Sequence, residues 1–235
     1  MKKIFCVMMI ACMAMSVMGK EMPKQGFGVQ LGFAQPIVRT NAPSSPGTLV
    51  SDVHLNGLKV GVVYDASYIA GFGSTIGFNY TFGNNHTKWH KQDLTFSDRN
   101  LYTYHQVELF VDWQYKFEVA KETYIILYTG PTLQCGVKYK DRYEVFNRAL
   151  REKVPEKCKT TEHYKTDEHN EAYRQLNITW GVGLGFQYKR YFLRGGYDFG
   201  LVNPYKHKYF DNEVRTDGRI DQWNIRAGVY LWYPD

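Results

Sequence analysis

The chain has 235 residues, of which 44% are hydrophobic, 16% aromatic and 22% charged, with a formal net charge of +6. This length is sufficient for one domain with its own core, and nothing in the composition suggests a second. Basic residues are interspersed with Asp and Glu and form no dense run, so we expect no nucleic-acid partner.

Residues 1–19 are organised like a secretory signal peptide. A short positive segment precedes an apolar stretch from Ile4 to Met15, and small residues lead to a cleavage site after Gly19. The stretch is too short for a membrane-spanning helix. We therefore predict that residues 1–19 are removed and that residues 20–235 form the mature domain.

A lipoprotein signal is an alternative for the same segment, with Cys12 as the lipidated residue. It would leave a very short apolar stretch, which disfavours it. Cleavage after Gly19 removes Cys6 and Cys12, so the mature chain keeps Cys135 and Cys158. These two thiols could form a disulfide in an oxidising compartment, or both could remain free.

Alternation of apolar and polar residues dominates the rest of the chain. From Gln175 to Tyr188 every second residue is large and apolar, which indicates an extended strand with one apolar face. The same alternation recurs, in chain order, in Phe27–Ala34, Leu58–Tyr64, Ile76–Phe82, Val107–Tyr115, Tyr124–Val137, Leu193–Leu201 and Asn224–Leu231. In Tyr124–Val137 it is less regular, and Pro131 predicts a bulge there. The sequence thus predicts about eight strands.

The connections between these strands alternate in length. The short ones are Asp65–Gly71, Glu118–Glu122 and Lys189–Tyr191, and the long ones are Arg39–His54, Gly83–Thr103, Lys138–Arg174 and Asn203–Arg219. Membrane barrels have short periplasmic turns and long external loops in this way. The highly charged Lys138–Arg174 segment could be partly helical, extended or mobile.

Alternation alone does not say which face lies outside, and a soluble barrel of the lipocalin type would point its apolar face inward. Here glycines such as Gly61, Gly77 and Gly183 are concentrated on the polar face. The interior of an eight-stranded barrel is only wide enough for side chains to fill, so small residues belong there. The apolar face carries no charged residue, as lipid contact requires, since a cation at the bilayer midplane costs about 2–4 kcal/mol.

Aromatic residues are also concentrated at the predicted strand ends. Near the short connections they are Tyr64, Phe72, Tyr115, Phe117, Tyr188, Tyr191 and Tyr233, and near the long ones Tyr102, Tyr104 and Trp223. Two such groups are expected of the aromatic girdles at the two membrane interfaces. We therefore predict that the apolar face is turned outward, to lipid.

The last strand carries the most specific motif. From Arg226 to Tyr233 the chain reads polar, any, Gly, two of any kind, hydrophobic, any, aromatic. This motif, the signal peptide and the repeated strands resemble the small outer-membrane β-barrel family, often labelled "porin family", and more loosely the OmpA-transmembrane and OmpX-like barrels. The resemblance covers essentially all of Gly26 to Tyr233.

The resemblance implies an all-β fold, an antiparallel up-and-down transmembrane β-barrel located in the outer membrane. It also implies that the outer-membrane assembly machinery recognises Gly228, Leu231 and Tyr233. The chain departs from the family by adding Pro234 and Asp235 after the final aromatic residue, where family members often stop.

Charged residues on the polar face form the main candidate site. We expect Lys59, Glu108, Asp198 and Arg226 at one level of the lumen and Asp112, Lys116 and Arg194 at a lower level. Their signs nearly balance, as a closed lumen requires, because a buried unpaired ion is costly. We interpret the set as a structural network that plugs the lumen, in preference to a pair of catalytic carboxylates.

Signals for chemistry are weak elsewhere. His86 and His90 have helical spacing for a metal site, but turn-like residues precede them and no partner ligand stands nearby. Ser97, Asp98 and His105 lie in a segment expected at the outer rim, without a diagnostic spacing. The sequence therefore predicts no catalytic, cofactor or metal site.

Our leading hypothesis is a monomeric, non-enzymatic barrel whose partners are outer-membrane lipids and the assembly machinery. Its long loops would bind an unknown extracellular or envelope partner, act in adhesion, or serve a structural role in the envelope, since loops on rigid scaffolds often carry recognition. The alternatives are an outer-membrane enzyme acting on lipid or peptide, and a narrow channel.

Overall fold

The structure is a computed structural model that describes residues 25–41, 53–69, 71–91, 95–162, 164, 174–204 and 217–232. Its strands are β1 (Gln25–Asn41), β2 (Val53–His54), β3 (Gly57–Ile69), β4 (Phe72–His86), β5 (His90–Lys91), β6 (Phe96–Ala120), β7 (Thr123–Asn147), β8 (Glu152–Lys153), β9 (Lys159–Glu162), β10 (Leu176–Tyr188), β11 (Tyr191–Gly200) and β12 (Asp217–Trp232). A short 3-10 helix covers Pro155–Lys157. Within these ranges no helix is long and apolar enough to cross a membrane. The predicted signal peptide and Tyr233 lie outside the described residues.

Eight long strands close into a ring. Each pairs antiparallel with its neighbours in the order β1, β3, β4, β6, β7, β10, β11, β12, and β12 returns to pair with β1. The four short strands extend this ring, with β2 on β1, β5 on β6, and β8 and β9 on β7. The predicted eight-stranded up-and-down barrel is confirmed.

The outer surface of the ring is apolar and the inner surface is polar. Leu31, Leu184 and Ile225 expose 55%, 60% and 51% of their surface on the outside. Lys59 and Arg194, on the opposite face of their strands, are each 2% exposed. A closed barrel satisfies the backbone hydrogen bonds of its strands, and an apolar exterior suits lipid. The fold is a transmembrane β-barrel with its apolar face outward, as predicted.

Tight turns connect the strands at one end of the barrel. The two-residue turns at Lys121–Glu122 and Lys189–Arg190 place Glu122 and Lys189 at φ 59° and 52°, and the Lys189 amide donates to the Glu122 carbonyl at 2.8 Å. The predicted connection at Asp65–Gly71 is too long, because β3 continues to Ile69. Asp65 resembles a turn residue, but it is a strand residue that faces the lumen.

At the other end two strands continue well past the apolar surface. Both β6 and β7 have 25 residues, so much of the predicted connections Gly83–Thr103 and Lys138–Arg174 is paired strand instead of loop. Backbone pairing does not need apolar side chains once a hairpin has left the membrane. The end of the hydrophobic alternation therefore marks the membrane boundary and not the end of the strand.

The prediction of a bulge at Pro131 is wrong, and a bulge occurs at another position of β7. Pro131 pairs with Trp180 in an unbroken register between β7 and β10. The register between β6 and β7 shifts between His105 and Gln106, which makes Val137 the extra residue on β7. This shift lies at the outer edge of the apolar surface, where the hairpin leaves the barrel.

The predicted outer girdle also needs correction. Trp223 is 55% exposed, but Tyr104 is 4% exposed and Tyr102 packs beside it, on the same inner face as Glu108. Together with three other buried residues Tyr104 forms a cluster over the lumen, which we call the outer cap: Val38, Leu55, Tyr104 and Tyr139. Counting in steps of two from Glu108 would have placed both tyrosines inside.

Glycine at position 130 allows two strands to approach closely. A Cβ there would overlap the backbone carbonyl oxygen of Val111 on β6, whereas a Cβ at Gly195 would have 3.9 Å to its nearest neighbour. We predict that Gly130→Ala lowers the free energy of unfolding by about 1–3 kcal/mol, the usual cost of overpacking. Gly195→Ala is the matched control and should change it little. Urea unfolding in lipid vesicles tests this, and equal values for the two variants would contradict it.

Candidate functional site in the lumen and the outer hairpin

All the charged residues predicted for the lumen lie inside the barrel and are buried. They are Lys59, Glu108, Asp112, Lys116, Arg194, Asp198 and Arg226, each 8% exposed or less. Asp65, which was predicted to begin a turn, joins them and is fully buried. With Asp65 included, four cations face four carboxylates, so the interior is neutral.

Glu108 is the centre of the outer part of this network. Lys59 Nζ from β3 lies 2.6 Å from Glu108 Oε2, and Asn79 from β4 donates to the same oxygen at 3.3 Å. Gln222 reaches from β12 and donates to Glu108 Oε1 at 2.9 Å. One carboxylate on β6 thereby connects four strands through the lumen.

Asp65 has the corresponding role nearer the tight turns. Its carboxylate accepts hydrogen bonds from Lys116 at 3.0 Å and from the Tyr230 hydroxyl at 2.5 Å. Arg194 Nη2 and Gln114 Nε2 also donate hydrogen bonds to this carboxylate, at 3.3 and 2.8 Å. These contacts bring β3, β6, β11 and β12 together. The sequence signal for Asp65 was its even spacing from Lys59, which places both on the inner face.

The two predicted levels of charge are joined in the middle. Arg226, expected at the outer level, lies 3.6 Å from Asp112 of the lower level, and Arg194 lies 4.0 Å from the same carboxylate. Asp198 accepts hydrogen bonds from the side-chain amides of Asn224 and Gln222, at 2.9 and 3.5 Å. The division into separate levels is wrong because arginine side chains are long enough to cross between them.

In the described part of the chain the free space of the lumen is small, and a cavity of about 30 Å³ is lined by residues of the outer cap. A cavity of about 10 Å³, bordered by Lys59, Asp112 and Asp198, has room for about one water molecule. An apolar cluster closes the interior towards the tight turns, and the outer cap packs over the opposite end. The members of that inner cluster are Val63, Phe110, Phe192 and Tyr230.

The residues considered for catalysis are not brought together. Ser97 and His105 lie on the same extended strand, so they are about 26 Å apart at 3.3 Å per residue. His105 Nδ1 forms a 2.6 Å hydrogen bond with the Tyr80 hydroxyl. Asp98 lies 3.7 Å from His90. The carboxylate of Glu108 is in the lumen and already paired.

The histidines and cysteines give no ligand cluster in the described ranges. His86 ends β4 and His90 begins β5, so the pair has no helical spacing. No group of three or more His, Cys, Asp or Glu suited to a metal ion occurs among the described residues. Cys135 and Cys158 are free thiols, and Cys158 Sγ donates to the Val154 carbonyl at 3.3 Å.

A second ionic site lies in the outer hairpin, by which we mean residues 86–91, 95–106 and 138–162. Glu144 on β7 accepts two hydrogen bonds from Arg99, at 3.0 and 2.9 Å, and one from Lys153 at 2.7 Å. Arg142 Nε lies 3.4 Å from the same carboxylate. The Glu144 side chain is only 2% exposed, because these long side chains cover it. No signal in the sequence marks this site, because Glu144 falls in the predicted connection Lys138–Arg174.

Hydrogen bonding controls the charge state of Glu144. The bond from Lys153 lowers the pKa of Glu144 below its ordinary value of 4.5, with Arg99 adding to the effect, and partial loss of solvent opposes it. The carboxylate therefore stays ionised and keeps its cations at neutral pH. Three cations around one anion leave this part of the hairpin with excess positive charge.

The outer hairpin also contains contacts between cations and aromatic rings, and it has an excess of positive charge. The Arg99 guanidinium lies 4.5 Å from the centre of the Trp89 ring, and Trp89 packs against Phe146 at 5.7 Å. Lys157 Nζ lies 3.9 Å over the Phe96 ring. The hairpin contains eleven Lys and Arg against six Asp and Glu, a net charge of +5. Most of the excess positive charge of the chain is therefore on this hairpin.

No protein-family model matches this chain. No curated protein matches it either.

The chain is similar in structure to small outer-membrane barrels. The attachment invasion locus protein Ail of Yersinia pestis, solved with the heparin analogue sucrose octasulfate, is 11% identical, with 88% of this chain and 99% of Ail covered and a TM-score of 0.39. For the neisserial surface protein A, NspA, the values are 14%, 90%, 100% and 0.42. For the N-terminal β-barrel domain of Pseudomonas aeruginosa OprF they are 10%, 87%, 98% and 0.31. Similarity at this level carries no functional argument.

The Lys59–Glu108 pair allows a direct test of the lumen network. We predict that Lys59→Met lowers the free energy of unfolding by about 3–5 kcal/mol, because Glu108 is then a buried charge without its cation. Lys59→Met/Glu108→Gln should recover most of this loss. Urea unfolding in lipid vesicles measures both, with Lys121→Met in an exposed turn as the control. A double variant as unstable as the single one would contradict the prediction.

The lowered pKa of Glu144 predicts a pH dependence. A group with a lower pKa in the folded state stabilises that state above its unfolded pKa, near 4.5, and the contribution disappears as the pH falls through the folded pKa. Glu144→Gln should therefore speed proteolytic cleavage of the hairpin at neutral pH. Well below pH 4.5 the variant and the wild type should be cleaved equally. An unchanged ratio of rates across this range would contradict the assignment.

Proposed function

We propose that the chain is a non-enzymatic integral outer-membrane protein whose closed barrel supports a basic binding surface outside the membrane. One observation carries this proposal. The charges inside the barrel are balanced, and Asp65, Glu108 and Asp112 are paired with cations, whereas the hairpin beyond the apolar surface has a net charge of +5. The ions inside the barrel thus stabilise the fold, whereas the excess positive charge of the hairpin is available to bind a partner.

Several features support insertion into the outer membrane. The apolar outer face of β12 runs from Trp223 to Leu231, close to the roughly 9–11 residues that a tilted spanning strand needs. The signal-peptide pattern supplies a route of export. Gly228 and Leu231 of the proposed assembly signal lie on β12, with Leu231 58% exposed to the outside, where the assembly machinery can reach it.

The contacts of the candidate groups favour a closed, non-enzymatic barrel. Glu108 and Asp112 are held by cations, which disfavours these two carboxylates as an acid and base pair. Ser97 and His105 are too far apart to act together. The cavity of about 10 Å³ and the two packed clusters disfavour passage of solutes. This arrangement supports a structural role for the lumen network.

The outer hairpin is suited to present a binding surface. Backbone pairing of β6 with β7 continues to Phe96 and Asn147, so the surface stands on a rigid ladder. Arg142 and Lys153 are fixed by Glu144, yet their side chains are 52% and 50% exposed. Such fixed, exposed cations favour an acidic partner at the cell surface.

Single-cysteine labelling tests this orientation. In a Cys135→Ser/Cys158→Ser background, we predict that Arg148→Cys at the hairpin tip reacts with a membrane-impermeant maleimide on intact cells. Lys121→Cys, in a tight turn at the other end, should react only after the outer membrane is permeabilised. A photo-crosslinker attached at position 148 should then capture a partner that the same reagent at position 121 does not.

Three results of this experiment would contradict parts of the proposal. Labelling at position 121 alone on intact cells would reverse the orientation, and labelling of neither site before lysis would contradict an outer-membrane location. Labelling at position 148 without a captured partner would leave the location intact and contradict the binding role.

A further inference from the structure

Two arginines share one carboxylate on the outer wall of the barrel, where β1, β11 and β12 adjoin. Arg39 Nε and Arg219 Nε lie 2.9 and 3.1 Å from Asp221 Oδ2. The Tyr197 hydroxyl donates to the same oxygen at 2.9 Å, and the Gly200 amide donates to Oδ1 at 3.0 Å. Asp221 is fully buried beneath them. The rim cluster, defined as Arg39, Tyr197, Arg219 and Asp221, thus has a net charge of +1.

The rim cluster lies at the outer edge of the apolar surface. Asp221 is two residues beyond Trp223 on the same face of β12, and Trp223 begins the apolar series that faces lipid. Arg39 and Arg219 are paired opposite each other one step further out. At roughly 3.3 Å per residue along a strand, the guanidinium groups are at the depth of lipid headgroups.

Aromatic rings form the inner border of the rim cluster. The Tyr197 ring packs edge-on against Trp223 at 5.0 Å and against Phe199 at 4.8 Å. Trp223 and Phe199 expose 55% and 42% of their surface to the outside. The wall here therefore changes over a short distance from apolar rings to guanidinium groups, which matches the change from acyl chains to charged headgroup in a lipid.

Arg219 has hydrogen-bond donors beyond the one that faces Asp221. Each guanidinium has five N–H donors in a planar fork suited to phosphate, and the pairing with Asp221 uses Nε of each. Arg39 Nη2 donates to the Tyr197 hydroxyl at 3.2 Å. The Arg219 side chain is 49% exposed, so its terminal nitrogens face the surroundings. Asp221 meanwhile holds the two like charges side by side.

We propose that the rim cluster binds the phosphate group of an outer-leaflet glycolipid, with Arg219 as the main donor and Trp223 and Phe199 against the adjoining apolar part. This inference rests on the proposed outer-membrane location. Arg39 positions the site, because it holds both Asp221 and Tyr197.

Native mass spectrometry of the purified mature chain in detergent tests the proposal. The probe is an acylated diphosphoryl glucosamine disaccharide, titrated against the wild type and against Arg219→Gln. We expect the variant to bind about tenfold more weakly, the size of effect expected when charge-assisted hydrogen bonds are lost. Arg219→Lys should be intermediate, since it keeps the charge but loses the fork. Lys189→Gln, which removes an exposed cation in a tight turn, should bind like the wild type.

The same titration identifies the source of the phosphate. The dephosphorylated glycolipid should bind the wild type as weakly as the phosphorylated one binds Arg219→Gln. Competition by inorganic phosphate at the concentration of the glycolipid would show a site for soluble anions and overturn the lipid assignment. Equal binding by the wild type and Arg219→Gln would overturn the proposal itself.

Two controls distinguish a loss of lipid binding from misfolding and from an incorrect membrane location. Arg219→Gln keeps the pair between Arg39 and Asp221, so the barrel should remain folded, and an unchanged mobility difference between boiled and unboiled protein on gels verifies that. The titration uses purified protein, so it does not depend on cell location. Failure of lipid binding and failure of cysteine labelling on cells are therefore distinct results.

Discussion

The structure depends on the pairing of buried ions in a lumen too narrow for bulk water. Each carboxylate there must find a cation or several hydrogen-bond donors, because an unpaired buried charge is costly. Asp65, Glu108 and Asp112 meet this condition through residues from other strands. Their contacts cross the barrel, so they tie together strands that are not neighbours in the sheet and hold the wall in one shape.

Much of this could be predicted from the sequence, because a strand between lipid and lumen must alternate. The alternation gave the strand count, the outward apolar face and the inner charges such as Lys59 and Arg194. It did not predict that Asp65 and Tyr104 face the lumen. Both lie at the ends of the alternating segments, where a polar sequence is typical of a loop as well as of a strand. Glu144 was missed for the same reason, since outside the membrane no solvent contrast marks the two faces of a strand.

The part of the barrel inside the membrane and the hairpin beyond it differ in role. Inside the membrane the barrel has balanced charges, and most of its carboxylates are paired with cations. Beyond it, Arg142, Lys153 and their neighbours stand on a continued strand ladder and remain exposed. The rim cluster around Asp221 lies at the boundary between the two, where a protein meets lipid headgroups.

Ion current through single molecules tests the closed, paired lumen most directly. The purified wild-type chain would be inserted into planar lipid bilayers under an applied voltage, with insertion verified by a fluorescent label. If the charges of four cations and four carboxylates balance around a cavity of about 10 Å³, the current should stay at baseline. Stepwise openings of the unmodified protein would contradict that account and would make the barrel a channel.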